Sequence, residues 1–299
     1  MYDIVIVGAG PAGISAGIYG VSRGKRVLLL EKGEVGGLIG KVSTVTHYAG
    51  IVPGETGKTF AQRMKQQALD AGVEIRQETV QQVQMQGDVK TVVTEKESYE
   101  CKKLILAGGS TGRKLGIPGE EILAGKGMGM NAAQHGSAYA GKHVYVVGGA
   151  DGAVKEALYL AGLAKKVTII HFEPQLGCIA EFREKVKKTP NIQLMLNARL
   201  HAVRGENQVE QLDIRSELDG SVKTVEDPGC GIFVYAGTVP NTQMYTQLEL
   251  QDGYIPVNEW METQIPGVYA VGDIRVKQVR QVATAVADGA TAAVHACIG

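Results

Sequence analysis

The chain has 299 residues, long enough for two domains with cores of their own. Its 31 basic and 31 acidic residues cancel without long runs of either sign, which argues against nucleic acid or an acidic membrane surface as partner. No stretch of about 18 uninterrupted apolar residues occurs, so no transmembrane helix is expected and the chain reads as cytoplasmic. The first element, Ile4-Val5-Ile6-Val7, is four apolar residues in a row and predicts a buried parallel strand. It runs into Gly8-Ala9-Gly10-Pro11-Ala12-Gly13, glycines at the G-x-G-x-x-G spacing that turns a strand into a helix. Gly8 permits the tight turn, Gly10 lets backbone N–H groups approach a pyrophosphate, and Gly13 lets helix and strand pack closely. The unpaired N–H groups and dipole of the helix N-terminus favour that negative charge. A second apolar strand, Val27-Leu28-Leu29-Leu30, ends in Glu31, where an acidic side chain meets adenosine ribose hydroxyls. Strand, glycines, helix, strand and acid in that order predict a ligand with an ADP moiety. The apolar N-terminus lacks a basic n-region and carries Asp3, so it reads as this strand and not as a signal peptide.

A loop from Gly33 to Gly54 follows, of a length that is usually functional, and residues 57–71 carry helical spacing up to Gly72. Val73-Glu74-Ile75 predicts a strand, and the Val80–Glu100 region alternates like a small antiparallel meander. Leu104 to Gly109 predicts another buried strand ending at glycines, and Arg113 to Gly119 reads as a linker. Residues 144–171 then repeat residues 4–31 without a gap, 140 positions later. Gly8 maps to Gly148, but Gly10 maps to Ala150, Gly13 to Ala153 and Glu31 to His171. The second unit is expected to keep the fold and to lose part of the nucleotide chemistry, because a methyl at Ala150 obstructs a pyrophosphate. Alternating strands around 192–215 lead to Gly231–Gly237, and Thr238 to Thr242 returns the chain. Gly267 to Asp273 predicts a last buried strand, and Val282 to Ala296 a long helix rich in small residues. Asp273 is placed to accept from a ligand hydroxyl or to serve as a turn carboxylate. A helix starting near Gln281-Val282 presents the positive end of its dipole at its N-terminus.

The four cysteines, Cys101, Cys178, Cys230 and Cys297, form no C-x-x-C or metal-ligand spacing and read as reduced, structural thiols. Cys230, after Asp227-Pro228-Gly229, is a candidate reactive thiol, with a loop or half-buried structural role as the simpler reading.

The Gly8–Gly13 turn, Leu106–Gly109, Gly272-Asp273 with Thr263 upstream, and Arg280-Gln281 together resemble the low-molecular-weight thioredoxin reductases, across essentially the whole chain. That resemblance implies an α/β fold of two Rossmann-like domains, the second inserted into the first. Residues 1–112 and 238–299 would bind FAD, residues 113–237 would be of pyridine-nucleotide type, and two subunits would form a homodimer. Gly8, Gly10, Pro11, Ala12, Gly13, Glu31 and Lys32 are the expected FAD contacts at the first turn. Gly37, Leu38, His47, Gly108, Gly272, Asp273, Arg280, Gln281 and Val282 complete the expected set.

Three departures fall on the chemistry. Where the family carries its redox Cys-Ala-Thr-Cys, this chain reads Asn131-Ala132-Ala133-Gln134, followed by His135 where the family has its acid. Asn131 and Gln134 cannot form a disulfide, and thiol–disulfide exchange needs a thiolate. Where the family grips the NADPH 2′-phosphate with His-Arg-Arg, this chain has His171-Phe172-Glu173, and Glu173 repels a phosphate while accepting from ribose hydroxyls. NADPH is therefore not expected; NADH stays open, as do a second unit retained for structure alone and one holding another adenine-bearing ligand such as a second flavin. The third departure is Gly36-Gly37-Leu38 with His47-Tyr48-Ala49-Gly50, which changes side chains near the flavin ring and its potential. His135 and His47 are the candidate proton-transfer groups, with ordinary loop histidines as the plain alternative. The expected function is an FAD-dependent oxidoreductase without a local dithiol, fed by NADH or by a carrier such as ferredoxin or flavodoxin. The alternatives are a flavin-binding sensor or assembly subunit without turnover, and thioredoxin reduction through distant cysteines.

Overall fold

The computed structural model describes residues 1–298, which divide into two compact units: Met1–Thr111 with the chain from Val239 onward, and Gly112–Thr238. The first unit opens with β1 (Tyr2–Val7), α1 (Pro11–Val21) and β2 (Val27–Glu31). A single 3-10 turn, Gly37–Lys41, interrupts the long loop before α2 (Gly57–Asp70). Thr56 caps α2: its hydroxyl accepts from Thr59 N–H while the Thr59 hydroxyl accepts from Thr56 N–H, both at 3.1 Å. Next come β3 (Glu74–Gln77), β4 (Val80–Gln84), β5 (Lys90–Thr94) and β6 (Ser98–Leu106), and β4, β5 and β6 are the expected antiparallel meander. The nine-residue β6 organises the sheet. Its first half pairs antiparallel with β5, its second half pairs parallel with a late strand at Val268–Ala270, and β1 runs along its other side. The order is β3-β2-β1-β6-β5-β4. Val5, Ile6, Leu28, Leu29, Leu104 and Ile105 are fully buried, and each such side chain stabilises by roughly 1.5–3 kcal/mol. A strand covered on both faces needs a continuous apolar run, and these three have one.

After β7 (Ser110–Gly112) the second unit contains α3 (Ala132–His135), β8 (His143–Val147), α4 (Asp151–Ala161), β9 (Lys166–Ile170), α5 (Ala180–Lys187) and β10 (Ile192–Met195). It continues with β11 (Ala198–Arg204), β12 (Gln211–Ser216), β13 (Val222–Glu226) and β14 (Gly231–Val234). The parallel sheet runs β10-β9-β8-β14, and β11-β12-β13 form a separate antiparallel sheet. The internal repeat is structural: β1–α1–β2 and β8–α4–β9 place Pro11 and Asp151 at the same first helical position. The alternating strands read around 192–215 belong to two sheets, because Ile192–Met195 pairs parallel with β9. The chain returns through β15 (Thr238–Pro240), paired with β7, then β16 (Val268–Ala270) and α6 (Val282–Ile298).

One polar network lies inside the second unit. His143 Nδ1 meets Asp227 Oδ2 at 2.5 Å, its Nε2 meets Thr168 Oγ1 at 2.8 Å, and the Tyr145 hydroxyl donates to the same Asp227 oxygen at 2.8 Å. Burial lowers the His143 pKa from 6.5, against the pull of Asp227. The folded state therefore binds this proton less readily than the unfolded chain. His143 contributes stability that is complete above pH 6.5 and is lost as the pH falls through that value toward the folded pKa. Urea midpoints of the wild type should fall between pH 7.5 and 5.5. His143→Gln should flatten that slope, and an unchanged slope would remove His143 as its source.

Candidate functional site

The turn after β1 is built by contacts that allow no side chain. Gly8 has φ +107°, and a Cβ there would sit 2.4 Å from the Ala107 carbonyl oxygen and 3.2 Å from Gly108 Cα. A Cβ on Gly13 would lie 1.9 Å from the Gly8 carbonyl oxygen. Gly10 is different. It caps α1 at φ −74° and ψ −178°, a conformation any residue adopts, and a Cβ would meet nothing within 4 Å. No packing in the fold requires a glycine at position 10, and the space its side chain would fill is the mouth of the turn. Pro11 and Ala12 follow as the first residues of α1.

Several predicted residues gather at this mouth. Glu31, ending β2, accepts from Ala9 N–H at 2.8 Å through Oε2 and from Gly33 N–H at 2.9 Å through Oε1, with lone pairs to spare. Gly36 N–H donates to the Ala9 carbonyl at 2.8 Å, which brings Gly37 (φ +62°) to 3.3 Å from Gly10 Cα, measured from its would-be Cβ. Gly108, two residues past the end of β6, has its carbonyl accepting from Asn241 Nδ2 at 2.8 Å. Gly272 (φ +76°) packs against Ala12, its would-be Cβ 3.0 Å from the Ala12 methyl, which seats the Gly272-Asp273 turn on α1. Burial pushes the Asp273 carboxyl up, while Lys277 and Arg280 pull it down. The Arg280 guanidinium lies 4.2 Å from the Tyr254 ring centroid, and its Nε is buried without a protein acceptor. Gln281 accepts the first helical hydrogen bond of α6, from Ala285 N–H at 3.0 Å, and its own N–H donates to Thr284 Oγ1 at 3.2 Å, so Val282 begins the first turn. Lys32 and Leu38 are exposed on the rim. His47 is exposed in the Gly33–Gly54 loop, with Nδ1 against Thr46 Oγ1 at 2.9 Å.

The matching turn of the second unit is built differently. Gly148 keeps a positive φ of +131°, with the Tyr235 carbonyl 2.4 Å from its would-be Cβ. Ala150 caps α4 at φ −84° and ψ 177°, the backbone of Gly10 with a methyl on it. The His171 ring covers Gly149, its Cγ and Cδ2 both 2.5 Å from where a Cβ would be. His171 Nε2 meets Glu173 Oε2 at 3.1 Å, and its Nδ1 is buried without a partner. Asp151 Oδ1 accepts from Ile179 N–H at 2.8 Å, which ties the loop after β9 to the start of α4. Arg199 stacks on Phe172, 4.3 Å from the ring centroid.

At the position expected for redox chemistry, Asn131 is the N-cap of α3, its Oδ1 accepting from Gln134 N–H at 3.0 Å. The exposed His135 accepts from Asn131 N–H at 2.9 Å through Nδ1, which puts the ring proton of the neutral form on Nε2. Gln134 is exposed and reaches this turn only through its backbone. All four cysteines are free, and Cys101, Cys178 and Cys230 are buried. Burial pushes the Cys101 and Cys230 thiols up to about 12 and raises those of Cys178 and Cys297. The reactive-thiol reading of Cys230 is thereby corrected: it is a buried thiol beside Asp227, without a charge that would activate it.

The pyridine nucleotide-disulphide oxidoreductase profile matches residues 2–289. The chain belongs to that family. Membership makes it an FAD-dependent oxidoreductase, in a family whose chemistry joins FAD to a nicotinamide cofactor. It is 38% identical to the thioredoxin reductase of Peptoclostridium acidaminophilum over 302 aligned positions, covering 99% of this chain and 96% of that one. The crystal structure of Lactococcus lactis thioredoxin reductase superposes with a TM-score of 0.95 at 33% identity, covering 99% and 98% of the two chains. A ferredoxin-flavin thioredoxin reductase from Clostridium acetobutylicum is 29% identical over 99% of this chain and 97% of its own, with a TM-score of 0.54. The expected fold class, two Rossmann-like domains of thioredoxin-reductase type, holds. No helix among the described residues is long and apolar enough to cross a membrane, and no cluster there has the make-up of a metal site.

Asp288, Arg275, Lys277 and Asn241 were not legible as site residues. Asp288 carried one signal: it is the sole acidic residue of α6.

Proposed function

We propose that this protein is an FAD oxidoreductase that passes electrons through its flavin without a local dithiol, and that a protein carrier such as ferredoxin or flavodoxin supplies them. FAD, when bound, supplies the redox chemistry, taking up and releasing electrons at its isoalloxazine ring. The first unit suits that group: the mouth at Gly10 is open to a diphosphate, Glu31 has lone pairs for ribose hydroxyls, and Arg280 Nε lacks a protein partner. Asp273 would accept from the ribityl chain, and the N-terminus of α6 would offset negative charge on the reduced ring. By the same resemblance two copies assemble as a homodimer, and His135 and His47 are the groups to hold or move a proton.

The observation that carries this reading is Asn131 as a helix cap where a dithiol would stand, with every thiol of the described chain raised by burial. The carrier is preferred over a nicotinamide because the second turn closes on itself. The Ala150 methyl, the His171 ring over Gly149, the bonded Asp151 carboxylate and the negative Glu173 all occupy or repel where a dinucleotide phosphate would lie. NADH is the second reading, favoured by Glu173, which can accept from ribose hydroxyls where a 2′-phosphate would be repelled.

Anaerobic stopped-flow of the yellow protein with reduced ferredoxin, NADH and NADPH in turn tests the choice. Flavin bleaching by ferredoxin alone is expected. Rapid bleaching by NADH would replace the carrier with the nicotinamide, and bleaching by NADPH would overturn both readings. Reduction by none of the three would favour a flavin-binding sensor or assembly subunit.

A further inference from the structure

Given that the first unit is the FAD domain, we propose that Asp288 is a positioning residue of the flavin site, its carboxylate clamping the Gly272-Asp273 turn together with two cations, Arg275 and Lys277. Asp288 Oδ2 accepts from Gly272 N–H at 3.0 Å, from Arg275 Nε at 2.8 Å and from Lys277 Nζ at 2.7 Å. Its Oδ1 accepts from Arg275 Nη2 at 2.6 Å. Asp288 is 5% exposed, the Lys277 side chain is 5% exposed, and Arg275 Nη1 is used on the Val276 carbonyl at 2.9 Å. A carboxylate at this depth persists only when its lone pairs are filled and its charge is met, and four donors do both. Burial works to raise its pKa, but the bonds from Arg275 and Lys277 outweigh it and hold the group ionised.

The clamp has two consequences for a flavin. Gly272 has φ +76° and rests on Ala12, so fixing its N–H fixes the direction in which the chain leaves β16 and presents Asp273. With the neighbouring Arg280, the cluster sets three positive charges against the carboxylates of Asp288 and Asp273, leaving a half-buried surplus of one cation. A positive surplus beside a flavin favours the more negatively charged, reduced form. A clamp that only tied α6 to the turn would affect stability and nothing else.

Asp288→Asn and Lys277→Met, compared with wild type as flavin-loaded proteins, separate these roles. For Asp288→Asn the dissociation constant of FAD should rise about tenfold or more, since charge-assisted bonds that hold the turn are lost. The midpoint potential of its bound flavin should rise, because a negative charge is removed. Lys277→Met removes a positive charge and should lower the potential. Opposite signs from two neighbours in one network are not produced by a structural role. A folded Asp288→Asn protein with a lower melting temperature but wild-type FAD affinity and potential would overturn the proposal. Should Asp288→Asn not fold, the potential of Lys277→Met decides: a fall supports the clamp and no change refutes it. A wild-type chain that binds no FAD would show itself before any variant is made, and would refute the FAD reading of the first unit and the clamp with it.

Discussion

Gly13→Ala is expected to yield a chain without flavin, its first unit destabilised by about 1–3 kcal/mol or more, as overpacking costs. Gly10→Ala, three residues earlier, is expected to fold as the wild type does and to bind FAD at least about tenfold more weakly. The two glycines look alike in sequence and differ in what surrounds them. A Cβ on Gly13 would sit 1.9 Å from the Gly8 carbonyl oxygen, a backbone atom that cannot rotate away. Relief would require α1 to lift from β1, and the crossing of α1 with α6 leaves no slack. A Cβ on Gly289 of α6 would lie 2.1 Å from the Ala12 carbonyl oxygen. The better helix propensity of alanine, about 1 kcal/mol, cannot offset such an overlap. At Gly10 a methyl touches nothing in the protein, and its backbone angles are ordinary. The cost to the fold is then only that of alanine at an N-cap, about 1 kcal/mol or less. Ala150 occupies the same backbone in the second unit, so the geometry tolerates the residue. Urea denaturation of the flavin-free proteins and titration with FAD check both halves. Wild-type FAD affinity in Gly10→Ala would mean that no phosphate approaches that turn.

The double variant Asn131→Cys/Gln134→Cys is expected to form an internal disulfide on oxidation and to show disulfide-reductase activity above that of the wild type. Positions 131 and 134 are the N-cap and the third residue of one helical turn, so their side chains are neighbours. A thiol at a helix N-terminus is ionised more readily, which suits it to attack. The exposed His135 adds a proton carrier one residue on. Losing the Asn131 cap costs about 1 kcal/mol. In the wild type, a thiol raised to about 12, as at Cys101 and Cys230, is ionised at roughly one part in 10⁵ at pH 7, too little for exchange. Thiol counting before and after reduction detects the bridge, and reduction of a chromogenic disulfide with the flavin held reduced detects the activity. Wild-type turnover above buffer background would defeat the proposal that no dithiol operates. A bridged variant without activity would place the missing function elsewhere in the chain.

What was legible in the sequence follows from which forces act locally. Ile4–Val7, Val27–Leu30 and Leu104–Leu106 declare buried parallel strands because both faces of each must be apolar. The repeat of residues 4–31 at 144–171 reports a repeated unit because strand, turn and helix are encoded within one short segment. Ile192–Met195 misled because its neighbours in sequence are antiparallel strands, while its partner in space is β9. The reach of a strand for its sheet is not written in its own residues.

Residue type and spacing alone disclose the two Rossmann units, the glycine turn of the first and the absence of cysteine at 131 and 134. Each rests on residue type and short spacing, which act wherever the chain goes. That Gly10 is free of internal contacts while Gly13 is not, and that the His171 ring lies over Gly149, follows from packing alone. Only it could join Gly272, Arg275 and Lys277 to Asp288 across a turn and a helix. Contacts between residues separated by loops depend on how whole elements pack, and a buried charge reveals its partners only once the helix that carries it is docked.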